Sequence, residues 1–158
     1  MLDSRGLELS DYEPLLLSSK EQADEYWSEI KPLLDRCIDR ATHGEFNTQD
    51  VYNLLLEGKV FIFIVKSDKT IRKSVKLVLV LELAVYPRLT AMNIMALGGT
   101  DLEALHEKYW DSLCGWAYMN GVRVIEGMVS PAMKRVISRY GFKPVYTHMR
   151  LDLTEKIK

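Results

Sequence analysis

The stretch that most restricts the fold lies between residues 89 and 120. Residues 89–97 read as a hydrophobic strand that ends at Gly98-Gly99. Thr100 or Asp101 then has the side chain to cap a helix, with Glu103 in its first turn. Leu102, Leu105, Tyr109, Leu113 and Trp116 recur at helical spacing and define a buried stripe. Asn120-Gly121 ends that helix, where a left-handed residue is cheap. A chain that passes through a glycine turn into a helix leaves the first backbone N–H groups unpaired. Many folds hold a phosphate there. Gly98, Gly99 and Thr100 are therefore the candidate cofactor-binding residues; the competing reading is an ordinary capped turn.

The remaining chain supplies a framework for that unit. Residues 1–19 read as an N-terminal arm or a short strand, with Pro14 excluding a helix, and 20–158 as one domain. A helix is predicted over 20–41, kinked or split at Pro32, and a short one over 49–57, capped by Asn47 or Thr48. Residues 60–65 and 77–85 are apolar on both faces, as interior strands are. Tyr86-Pro87-Arg88 turns the chain into the strand at 89–97. A fourth strand is predicted at 122–129, a helix at 132–140 and a last strand at 145–153. Strands in a row followed by alternating helices give an α/β (α+β) fold, a mixed sheet with helices on both faces.

The order of these elements, with Arg139-Tyr140-Gly141-Phe142-Lys143-Pro144-Val145 before the last strand, resembles the GNAT superfamily of N-acetyltransferases. The resemblance covers residues 20–153 and implies a mostly antiparallel GNAT-like sheet. More narrowly, the chain resembles GNAT-like proteins encoded among virion and assembly genes of tailed bacteriophages. The residues concerned are Val85-Tyr86-Pro87-Arg88, Gly98-Gly99, Trp116-Ala117, Asn120-Gly121 and the run at 122–127. That resemblance implies a virion component or assembly factor, internal or at the head–tail region, located in the virion or the host cytoplasm.

Enzymes of the superfamily hold acetyl-CoA in a loop of pattern Gln/Arg-x-x-Gly-x-Gly/Ala. Met95 stands here where that pattern has a polar residue, and Thr100 where it has the last small one. Asp101 and Glu103 favour the helix dipole but repel a diphosphate, and no Lys or Arg lies between Arg88 and Lys108. The position of the usual general-acid tyrosine is Ile137, and Tyr140 beside the glycine reads as a packing residue. Glu82, an acid inside an apolar strand, is the one candidate base, with Glu126 behind it; the alternative is a carboxylate facing solvent or paired at the sheet edge. The sequence therefore reads first as a catalytically silent protein with no cofactor. Its alternative is an acetyl-CoA-dependent N-acetyltransferase with a divergent loop.

Composition narrows the partners. A net charge of −1 gives no global attraction to nucleic acid, and no apolar run approaches a membrane span. Opening residues Met1 to Arg5 do not read as a signal peptide. Cys37 and Cys114 read as buried thiols, and His43, His106 and His148 have no metal-binding spacing. Lys66, Lys69, Arg72, Lys73 and Lys76 crowd one connection and are the candidate DNA contacts; a solvated hairpin tip is the alternative. Lys134, Arg135, Arg139 and Lys143 form a second basic group. Trp110 and Tyr118 lie off the main helical stripe and mark a candidate interface, with other virion proteins or further copies of the chain as partners.

Overall fold

The computed structural model describes residues 12–67, 74–100 and 102–157. Its backbone divides into two compact units, Met1–Gly127 and Met128–Lys158. In the first, β1 (Tyr12–Leu17) is followed by α1 (Lys20–Ala41) and α2 (Thr48–Leu56). Then come β2 (Val60–Ser67), β3 (Ser74–Val85), β4 (Thr90–Gly99), α3 (Leu102–Met119) and β5 (Val122–Glu126). The second unit holds α4 (Pro131–Ser138) and α5 (Leu153–Lys156).

The five strands form one sheet in the order β1-β2-β3-β4-β5. The first four are antiparallel neighbours, and β5 runs parallel to β4 after the α3 crossover. The α/β, mostly antiparallel architecture expected from the sequence is the one found. Period-2 alternation sorts the interior strands onto two cores. Ile62, Ile64, Val78 and Val80 face α1 and α2, where Ala23, Ile30, Leu34, Val51 and Leu55 are buried. Leu77, Leu79, Leu81 and Met92 face α3, where Tyr109, Leu113 and Ala117 close the other side.

Local chemistry fixes the ends of these elements. Ser19 caps α1 by accepting from the Gln22 amide. Asn47 and Asp50 form a reciprocal capping box on α2, with both bonds at 2.9 Å. Of the kink or split expected at Pro32, the split does not occur: α1 continues as one helix through it. Its proline is exposed, so the ring and the carbonyl it leaves unpaired meet solvent rather than core. Of the two readings offered for residues 1–19, Tyr12–Leu17 takes the strand, paired with β2; residues 1–11 lie outside the described residues. Pro14 is tolerated because β1 is an edge strand.

The strand expected at 145–153 is absent. Residues 142–152 belong to no ladder, and Leu153 opens α5 under an Asp152 cap. Asp152 accepts from the Thr154 amide at 2.9 Å and so starts a helix within a run whose alternation reads as strand.

Candidate functional site

β4 is irregular against both of its neighbours, and β2 against β3 has a further shift at Val65/Lys66. On the β3 side, Val80 pairs with Ala96 and Leu81 with Ile94, so Met95 is an extra, bulged residue. Bulges bend the strand that carries them and strengthen its twist. On the β5 side, pairing runs from Thr90 to Asn93 and stops. Gly127 is the last close approach: a Cβ placed there would stand 3.3 Å from the Ile94 carbonyl oxygen. Residues 94–99 of β4 thus have β3 on one edge and, among the described residues, no strand on the other. β5 ends at Glu126, the partner of Asn93, so the β4–β5 pairing stops where β5 does.

A row of polar side chains lies on that last rung. Glu82 of β3 stands opposite Asn93 of β4, which stands opposite Glu126 of β5. All three are half-buried. Asn93 donates its side-chain amide to Glu82 Oε1 at 2.8 Å. The Tyr86 hydroxyl donates to Glu126 Oε1 at 2.9 Å, tying the β3–β4 turn to β5. Among the described residues, Glu82 is half-buried and accepts from the Asn93 amide rather than from an Arg or Lys. Asn93 was absent from the sequence-derived candidates, because only strand register brings it beside Glu82.

The glycine turn is built differently from a free cradle. A Cβ on Gly98 would lie 3.0 Å from the Leu33 carbonyl oxygen and 3.3 Å from Cys37 Sγ. One on Gly99, whose φ is +139°, would lie 2.2 Å from the Lys76 carbonyl oxygen. Both glycines are thus demanded by neighbours, α1 for one and β3 for the other. Thr100 donates its backbone N–H to the Lys76 carbonyl at 2.8 Å, so that amide is already engaged. Glu103 is exposed in the first turn of α3, and Asp101 lies outside the described residues. The open edge of β4 suits an extended ligand carrying amide groups. At the turn, the Thr100 amide is not available to a diphosphate.

Other sequence candidates scatter. Of the basic connection, Lys69, Arg72 and Lys73 lie outside the described residues. Lys66 is withdrawn as a DNA contact: its side chain is only 7% exposed, its Nζ lies 3.2 Å from Glu13 and 5.7 Å from the centre of the Tyr26 ring. The lysine faces Glu13 across the β1–β2 ladder, which draws it inward. Trp110 is partly buried, packs against the α3-side core and stacks on His106 at 5.3 Å. Tyr118 is 63% exposed, with the Arg123 guanidinium 4.5 Å above its ring. Cys37 and Cys114 are half-buried free thiols, and burial raises the pKa of both. Ile137 sits in α4 and Tyr140 just beyond it, in the second unit. No helix among the described residues is long and apolar enough to cross a membrane.

No protein-family model matches the sequence, and no curated protein matches it. Solved structures do match. A Trypanosoma brucei acetyltransferase aligns at 14% identity over 90% of this chain and 99% of its own, with a TM-score of 0.64. A predicted acetyltransferase from Clostridium acetobutylicum, solved with acetyl-CoA, aligns at 13% identity over 91% and 97%, with a TM-score of 0.64. An aminoglycoside acetyltransferase from an uncultured soil metagenomic sample, in complex with sisomicin, aligns at 9% identity over 92% and 100%, with a TM-score of 0.63. Nothing in the comparisons links the chain to phage virion genes. At these identities the likeness is one of fold: the chain has the architecture of GNAT acetyltransferases.

Proposed function

We propose that this protein is an acetyl-CoA-dependent N-acetyltransferase whose coenzyme lies along the open edge of β4. The observation that carries this reading is the end of β4–β5 pairing at Asn93 and Glu126, with a half-buried carboxylate held on that last rung. The coenzyme, when bound, supplies an activated acetyl thioester. Backbone groups of residues 94–99 would hydrogen-bond its extended, amide-bearing arm much as another strand would. Glu82 takes the proton that an amine must lose as it is acylated, and Asn93 fixes the orientation of that carboxylate. No contact to the diphosphate is assigned to Thr100, whose amide is engaged with Lys76. Titration calorimetry with acetyl-CoA, followed by an acetylation assay on a panel of primary amines, tests the reading. Binding without transfer to any amine would remove the enzyme and leave a ligand-binding module.

A second reading keeps the fold and drops the chemistry: a catalytically silent protein acting as a virion component or assembly factor. The engaged Thr100 amide and the packing role of Gly98 and Gly99 favour the silence. The virion setting rests on the sequence resemblance alone. Mass spectrometry of purified particles, searched for stoichiometric amounts of the chain, tests it.

A further inference from the structure

Glu82, Asn93 and Glu126 stand side by side on three neighbouring strands. Alternation along β3 puts Glu82 on the side of Val78 and Val80, which face α1 and α2. Asn93 and Glu126 are its neighbours across the ladders and point the same way. Strands lie about 4.8 Å apart, so the two glutamates leave the backbone roughly 10 Å from each other. The next row on that face, Ala84, Ala91 and Val124, carries no polar side chain.

The hydrogen bonding of the polar row is one-sided. Glu82 accepts from the Asn93 amide and Glu126 from the Tyr86 hydroxyl, and both donors are neutral. Among the described residues neither carboxylate meets a Lys or Arg. A carboxylate has room for further donors, and Asn93 adds an amide oxygen. Two half-buried negative charges on one face, with no cation between them, are unfavourable until something positive joins them. A metal ion does not suit, since no group of His, Cys, Asp or Glu among the described residues is placed to hold one. An ammonium does, because it brings one charge and three donors.

We propose that the acceptor is a diamine: one nitrogen lies at Glu82, and a second, charged nitrogen is held by Glu126, which sets the specificity. Tyr86 is the positioning residue for Glu126. The chemistry rests on the acetyltransferase reading; the binding rests on the row alone. The nitrogen at Glu82 first sheds a proton to solvent. It then bonds the acetyl carbon as the carbon–sulfur bond breaks, with the electron pair going to sulfur and its next proton to Glu82.

Titration calorimetry of the full chain with straight-chain diamines, and with monoamines of equal length, tests the binding without coenzyme. An acetylation assay on the same compounds tests the transfer. The diamine should bind about tenfold or more tightly than its monoamine, and added salt should weaken the diamine more. Glu126→Gln can still accept from Tyr86, so it should keep the melting temperature and bring the two amines within about twofold of each other. Equal affinity for diamine and monoamine in the wild type would overturn the proposal, whether or not either is acetylated. So would a preference that survives Glu126→Gln or is indifferent to salt. Selective diamine binding that Glu126→Gln removes, with no amine acetylated, would keep the diamine site and remove the acetyltransferase.

Discussion

Asn93 holds Glu82 through a 2.8 Å hydrogen bond on the last rung at which β4 still has β5 beside it. One rung further β4 has no strand on that edge among the described residues. That rung carries a half-buried carboxylate held by a side-chain amide.

If Glu82 is the base, Glu82→Gln should lower the rate of amine acetylation by about 10²- to 10⁴-fold while leaving coenzyme affinity within a few-fold. Glutamine keeps the shape and can still accept from Asn93, so the melting temperature should barely move. Asn93→Ala should cost less in rate, because the carboxylate survives but loses its orientation. Steady-state kinetics of both variants checks this; equal losses in KM and none in kcat would show that Glu82 only binds substrate.

The turn after β4 makes a stability prediction that does not depend on any ligand. Gly99→Ala sets a Cβ against the Lys76 carbonyl at a positive φ, and should cost on the order of 2–4 kcal/mol. Gly44, also at positive φ but with open space around it, serves as the control. Gly44→Ala should cost about 1 kcal/mol. Urea denaturation of the two variants separates backbone strain from steric clash.

Burial holds His106, which stacks on Trp110, below the ordinary imidazole pKa, against the raising influence of Asp111 and Glu107. The unfolded chain then takes up a proton more readily than the folded one. This contribution to stability is present above about pH 6.5 and is lost as pH falls below it. Denaturation midpoints between pH 5 and 8 should fall on the acid side, and His106→Gln should flatten that slope. An unchanged slope in the variant would assign the acid loss to other groups.

Both thiols are raised by burial, which lowers the thiolate fraction that reacts. Iodoacetamide should label native Cys37 and Cys114 at least tenfold more slowly than the urea-unfolded chain. Cys37, the more enclosed, should be the slower of the two. Labelling of Cys37 should also loosen α1 from β4, since its sulfur packs against Gly98.

Much of the fold was legible because its signals are local. The two-faced apolar runs of β2 and β3, the helical stripe of α3 and the Asn47 cap all lie within a few residues of what they determine. The glycine turn was found for one reason and is explained by another. Its glycines answer to Leu33, Cys37 and Lys76, contacts that no window around residue 98 contains. The bulge at Met95 and the meeting of Glu82 with Asn93 follow from register between strands, a relation defined only once both strands exist. Lys66 shows the converse: its charge suggested a surface patch, and its cross-strand partner Glu13 made it a buried residue.

The central claim is that the unpaired edge of β4 is a ligand slot. Amide hydrogen exchange of the protein with and without millimolar acetyl-CoA measures it most directly. Slowed exchange confined to residues 94–99, with little change in β2, is the predicted result. Exchange at 94–99 that is identical with and without the coenzyme would contradict the claim.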